Sequence, residues 1–361
     1  MRIIQRIIVM SLVILVCGSA LAGSLQPPAG PGAGTMKTLN EIEPGIPIPG
    51  GSFSTTYCIT TSGRYYLAGN RTVTTDVQGI EVRCSNVTID LTGFSLTGPG
   101  TGVSSGIKIF TDVNNIEIRN GATNHFGFSG IYAANNSRNI RTANIRSNLN
   151  CWHGLRLDGI SNLIENCFVS GNQDIGIRTG ANSIVSKCVV TDNNSTGIYV
   201  SKGSVVTECT SYSNNGNGIE TNGGATISNC SSCENGSDGI FSSGSSVIKG
   251  NVLKNNGSRG LYCLSSSVVK ENCADHNGTD GFVFAYASTV INNTAISNTE
   301  NGFIINSGSA VVGNSSSWNG NCGFYLNGAS LVDQNIAINN VVMNINAEIS
   351  SCTVPSGNHA P

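Results

Sequence analysis

GIYVSKGSVVTECTSYSNNGN (Gly197–Asn217) runs straight into GIETNGGATISNCSSCENGSD (Gly218–Asp238), and the two stretches share one plan. Each opens on Gly-Ile, carries Cys at the thirteenth place and Asn at the eighteenth. Glycine followed by Ile, Leu or Phe recurs at Gly79, Gly106, Gly130, Gly154 and Gly176, with steps of 27, 24, 24 and 22 residues. From Gly176 to Gly323 every step is 21 residues. A fixed period of this length marks a solenoid, because one such unit cannot bury its own apolar face whereas a stack of them shares one core.

Inside each copy the pattern is that of β-strands. Ile198, Ile219, Ile240, Leu261, Phe282, Phe303 and Phe324 follow the glycine, and Val200, Cys263, Phe284, Ile305 and Leu326 stand two places on, so apolar residues alternate with period two. A second apolar column, Val185, Val206, Ile227, Ile248, Val269, Val290, Val311 and Val332, lies nine residues after the glycine. Helical spacing is absent, and β-branched residues separated by Gly, Asn and Ser suit short strands joined by turns. Each coil is its own crossover between parallel strands, and such crossovers are right-handed. The expected fold is all-β: a right-handed parallel β-helix solenoid of about 12 coils, mostly 21 residues per coil.

Register assigns the polar columns. Asn172, Asn193, Asn214, Asn235, Asn256, Asn277, Asn298, Asn319 and Asn340 occupy one turn position, where Asn is expected to take a left-handed backbone and to bond through its amide to neighbouring coils. Cys167, Cys188, Cys209 and Cys230 form a second column that continues as Asn251, Asn272, Asn293, Asn314 and Asn335. In-register strands ~4.8 Å apart hold Cβ atoms too far apart for an easy bridge, so the cysteines read as buried thiols, with strained bridges or a metal site as alternatives. Cys58 and Cys84, in the irregular first coils, are candidates for a disulfide.

Composition bounds the rest. Only 11% of the 361 residues are charged, the net charge is −2, and no basic stripe exists to follow a phosphate backbone, so nucleic acid is not an expected partner. Hydrophobic residues reach 39%, above what a disordered chain keeps. Arg2 and Arg6, an apolar run of about ten residues and Ala20-Leu21-Ala22 read as a secretory signal peptide, with no later membrane span. The chain then divides into a signal peptide (1–22), a Pro/Gly-rich extended segment (23–50), an N-terminal cap (51–75), the β-helix (76–345) and a C-terminal tail or cap (346–361). A secreted, periplasmic or cell-surface location follows.

GIEVRCSNVTIDLTGFSLTG (Gly79–Gly98) and the repeated Gly-Ile … Val-x-x-Cys/Asn … Asn units resemble the right-handed β-helix repeat superfamily, the pectate lyase-like folds, over about Tyr57 to Ile345, and uncharacterised exported bacterial members in particular. The resemblance implies a face that binds or cleaves acidic polysaccharides, formed by the outward residue of each coil's first strand. That column contains Tyr132, Arg156, Arg178, Tyr199 and Glu220, with His153 at its border and Asp158 and Asp174 in nearby turns. These residues are the expected polysaccharide contacts. A lyase needs a base and a cation, for which His153, Tyr132, Arg156 and Arg178 are the candidates. No pair of aspartates of the glycosidase kind stands in the column. A polysaccharide-binding or surface component is the first reading, and a lyase acting on a uronate-containing glycan is the alternative. Maturation of a metal site is a third, disfavoured by four unclustered methionines and four histidines, and no cofactor is indicated.

Overall fold

The computed structural model describes residues 45–264 and 266–347, and every regular element in them is β. The signal peptide (1–22), most of the Pro/Gly-rich segment and most of the C-terminal tail lie outside the described residues. The described chain contains no helix, hence none long and apolar enough to cross a membrane.

Most coils hold three short strands; in those that open at Gly106 and Gly130 the second and third run together as Asn114–Asn124 and Arg138–Asn148. In the coil that opens at Gly197 the three are Ile198–Val200, Val205–Thr207 and Thr210–Tyr212. The first strands of successive coils pair into a 14-stranded sheet, and the second and third strands share a 26-stranded sheet. All pairing is parallel and in register, for example Ile177 to Ile198 to Ile219 and Arg178 to Tyr199 to Glu220. The structure therefore has about fourteen coils rather than about twelve. The glycine marker misses the first and last strands of this sheet, Tyr57–Ile59 and Met343–Ala347, because Thr56 and Asn344 stand in the glycine's place.

The stretch 51–75, expected as a cap, supplies strands to both sheets. Gly51–Phe53 pairs with Arg71–Val73, Tyr57–Ile59 with Ile80–Val82, and Gly63–Tyr66 with Val87–Asp90, while Ile46–Ile48 extends the register further toward the N-terminus. At this end Arg71 is buried, its guanidinium carbon 3.9 Å from the centre of the Phe53 ring and its nitrogens donating to Pro49 O, Thr55 O and Gly79 O.

Ile198, Val200 and Val206 are fully buried, as are their counterparts in neighbouring coils, and such side chains each contribute ~1.5–3 kcal/mol by leaving water. The Gly positions are forced by packing. A Cβ on Gly218 would sit 1.8 Å from Ser232 Oγ and 2.6 Å from Asn235 Nδ2.

The asparagine column is a hydrogen-bonded ladder. Asn193 Nδ2 donates to Asn214 Oδ1 at 2.9 Å, Asn214 Nδ2 to Asn235 Oδ1 at 3.0 Å and Asn235 Nδ2 to Asn256 Oδ1 at 3.0 Å; each Oδ1 also accepts the backbone N–H of the preceding Asn. The ladder starts one coil earlier than the 21-residue spacing shows, at Asn150. The expected left-handed backbone lies elsewhere. The residue before each ladder Asn takes it, as in Asp192, Ser213, Glu234, His276 and Trp318, with φ between 52° and 60°. The ladder Asn is held by its amide bonds, and the turn is made by its neighbour.

The cysteine column is buried and its thiols are free. Cys188 Sγ contacts Ser186 O at 3.3 Å, Cys209 Sγ Thr207 O at 3.3 Å and Cys230 Sγ Ser228 O at 3.2 Å. In the continuing asparagine column Nδ2 makes the corresponding bonds, for example Asn272 to Lys270 O at 2.9 Å. A thiol and an amide thus serve the same carbonyl, which is why one replaces the other. A third ladder, of serines, runs through Ser246, Ser267, Ser288, Ser309 and Ser330, each hydroxyl accepting the N–H of the residue one coil before. Cys58 and Cys84 are free thiols rather than a bridge. Register sets Cys58 opposite Glu81, with Sγ 3.7 Å from Oε2, and leaves Cys84 beyond the strand end against Ile59 O.

Candidate functional site

The outward residue of each first strand lines the open face of the 14-stranded sheet. Register places Lys108, Tyr132, Arg156, Arg178, Tyr199 and Glu220 side by side on successive strands. All are half-buried, since strand neighbours cover their stems and leave their tips in solvent.

Around Arg156 the column thickens into an aromatic cage. Its guanidinium carbon lies 4.7 Å from the centre of the Trp152 ring, 5.2 Å from Tyr132 and 5.7 Å from Phe128. Phe128 packs edge-on to Tyr132 and tilted against Trp152, and Trp152 stacks on His153 at 4.5 Å. Neither Phe128 nor Trp152 was among the residues expected from sequence. Both stand two places before a repeat glycine, in the two irregular 24-residue coils where the period gives no fixed column to read. The next coil has Asp174 at that place.

Charge at the site is nearly balanced. Asp158 is shared by two arginines, with Oδ2 2.7 Å from Arg156 Nε and Oδ1 3.2 Å from Arg178 Nε. Arg156 is 18% exposed beneath the rings, whereas Arg178 is 38% exposed, its guanidinium carbon 5.1 Å from the centre of the Tyr199 ring. Arg178 is the donor left open to a ligand. Glu220 is held by Thr196 Oγ1 at 3.1 Å and Asn217 Nδ2 at 3.0 Å.

His153 is buried, and its Nδ1 lies 3.4 Å from Asp174 Oδ2 without a hydrogen-bond partner. Burial pushes its pKa down to about 4; Asp174 opposes the shift and Arg156 and Arg178 reinforce it, so the ring is neutral near pH 7. Burial also raises the Tyr199 phenol above its ordinary value. The structure therefore gathers all six expected contacts, Tyr132, His153, Arg156, Arg178, Tyr199 and Glu220, along one face. Among the described residues no group of three His, Cys, Asp or Glu side chains gathers to hold a metal ion.

A family model described as "right handed beta helix region" matches residues 129–268. The chain has the right-handed β-helix fold. Two solved structures with this β-helix are similar over most of their length. The A-module of the Azotobacter vinelandii mannuronan C-5 epimerase AlgE6 has a TM-score of 0.52 and 13% identity, over 88% of this chain and 91% of that one. A mutant of the periplasmic alginate epimerase AlgG has a TM-score of 0.51 and 12% identity, over 80% of this chain and 76% of that one. No protein of curated function matches the sequence. At such identities the likeness is one of fold, and fold alone does not carry activity.

Proposed function

We propose that the β-helix binds a polysaccharide laid across the strands of the 14-stranded sheet, against Tyr132, Trp152, Arg178 and Tyr199, without altering it. The observation that carries this reading is the cage itself: aromatic faces and an open guanidinium set side by side at strand spacing, where stacked sugar rings find apolar faces and hydroxyl or carboxyl groups find donors. The resemblance of the fold to proteins named for mannuronan and alginate, both uronate polysaccharides, supports the same class of ligand. Because Asp158 offsets the arginines, stacking and hydrogen bonding supply more of the affinity than net charge. The sequence of residues 1–22 supports a place outside the cytoplasm.

Retention on immobilised alginate, pectate and a neutral glucan tests this. Trp152→Ala with Arg178→Ala removes one ring and the open donor, and is expected to lower retention by roughly tenfold or more. Retention that survives the double substitution would sink the reading.

The buried, unpartnered Nδ1 of His153 beside Asp174 favours one second reading, β-elimination on a uronate chain. In that reaction a base removes the proton next to the carboxylate, a cation steadies the resulting charge and the glycosidic oxygen leaves. Unsaturated uronate products from alginate, pectate or a glycosaminoglycan would establish it, and their absence from all three would exclude it.

A further inference from the structure

Further along the same face, the two columns that build the cage build a second cluster. The outward column continues from Glu220 to Phe241 and Tyr262, in register on adjoining strands. The column just before each glycine, which carries His153 in the cage, carries Asp238 and Arg259 here. Phe241 and Tyr262 lie edge to face at 5.7 Å, and the Arg259 guanidinium carbon sits 4.0 Å from the centre of the Tyr262 ring. Arg259 Nε is 3.3 Å from Oδ1 of Asp238, a carboxylate with only 5% of its side chain exposed, and the Arg259 backbone N–H donates to the same oxygen at 3.0 Å. The arrangement is that of the cage in smaller form: an arginine steadied by a buried aspartate and spread over an outward ring. Past Tyr262 the column is aliphatic for two strands, at Val283 and Ile304, before Tyr325.

We infer that Phe241, Tyr262 and Arg259 form a second glycan subsite, and that the ligand is a linear polymer engaging both clusters at once. The inference rests on the polysaccharide reading of the cage. Tyr199 and Tyr262 are three strands apart, ~14 Å, and Tyr132 and Tyr262 six strands apart, ~29 Å. A mono- or disaccharide reaches one cluster; an extended chain parallel to the coil axis reaches both. Holding a polymer at the first cluster presents its next units to the second at high effective concentration, which raises affinity for long chains and leaves that for short ones untouched. Glu220, fixed between the two, faces the chain at the crossing point and accepts hydrogen bonds from sugar hydroxyls.

Calorimetric titration with a mannuronan disaccharide and with polymeric mannuronan tests this on the intact chain. For Phe241→Ala with Tyr262→Ala, polymer affinity is expected to fall by about tenfold or more relative to wild type, and disaccharide affinity to stay unchanged. Trp152→Ala with Arg178→Ala weakens both probes. Tyr262→Phe keeps the ring and retains polymer affinity. Both positions face outward, so an unchanged circular dichroism spectrum confirms that each variant is folded. Polymer affinity unaltered in the Phe241/Tyr262 variant, or loss of both probes alike in it, overturns the second subsite while the cage stands. No binding of either probe to wild type removes the cage reading and the second subsite together.

Discussion

Asn256→Ala cuts the asparagine ladder at its middle. The Asn256 amide donates to Ser232 O and to Asn277 Oδ1, each at 3.0 Å, and its Oδ1 accepts from Asn235 Nδ2 at 3.0 Å and from Asn235 N at 3.1 Å. All four bonds are buried. Asn235 Nδ2 keeps Ser211 O and Ser232 Oγ as partners, and Asn277 Oδ1 keeps the Asn256 N–H, but the Asn235 N–H is left with none. Four bonds at a net ~1 kcal/mol each, less the side-chain ordering that alanine avoids, give a loss of about 3 kcal/mol, most of it from the donor stranded out of water. Urea denaturation followed by circular dichroism measures this against two controls: Asn340→Ala at the half-buried last rung, expected at about half the loss, and the exposed Lys249→Ala, expected within ~0.5 kcal/mol of wild type. If unfolding splits into two steps, the split itself reports that the stack comes apart at the cut rung, as expected of nearest-neighbour coupling in a solenoid. A loss for Asn256→Ala no larger than that for Lys249→Ala would refute the ladder as a source of stability.

Three further outcomes are expected. His153 of the unfolded chain takes up a proton near its ordinary value of 6.5 and the folded chain refuses it until about pH 4, so stability is intact above that window and falls as pH drops through it, by up to ~3 kcal/mol; His153→Gln should flatten this limb, and an unchanged slope contradicts the assignment. Trp318 is 63% exposed with φ near 60°, in a column where Asn255 and Asn339 hold the same backbone, so Trp318→Asn should raise stability by ~0.5–1 kcal/mol, whereas a lower midpoint in urea would show the indole to be contributing contacts. Thiol labelling mapped by mass spectrometry should find the exposed Cys58 and Cys151 reactive in the native protein and the buried Cys188 and Cys263 protected until unfolding: burial pushes Cys263 up to about 12, and the neighbouring thiols Cys167 and Cys209, together with burial, hold Cys188 well above its ordinary value. Native labelling of Cys188 at the rate of Cys58 would contradict that order.

What the sequence made legible follows from its regularity. Constant spacing from Gly176 onward aligned the core, both asparagine columns and the outward row, because in-register stacking turns equal spacing into equal position. Legibility failed where the period fails. The first coil has Thr56 in place of the glycine, so it looked like a cap. Phe128 and Trp152 stand in coils of other lengths and were not picked out, although they complete the cage around Arg156. Backbone conformation is not legible in the column either: an Asn column suggests left-handed turns, but here the amide is buried for bonding and the residue before it, of almost any type, takes the turn. The shared Asp158 between Arg156 and Arg178 was beyond spacing alone, since it depends on which way two long side chains lean.

The ladder has a direction. From Asn150 to Asn319 one side-chain N–H of each ladder Asn donates to the amide oxygen of the following coil, so the amide dipoles add along the axis as peptide dipoles do along a helix. Each coil therefore carries donors whose acceptors are encoded in the coil that follows, so adding a coil completes the bonds of the one before it, and the two ends of the stack differ: the N-terminal end offers amide oxygens and the C-terminal end amide donors.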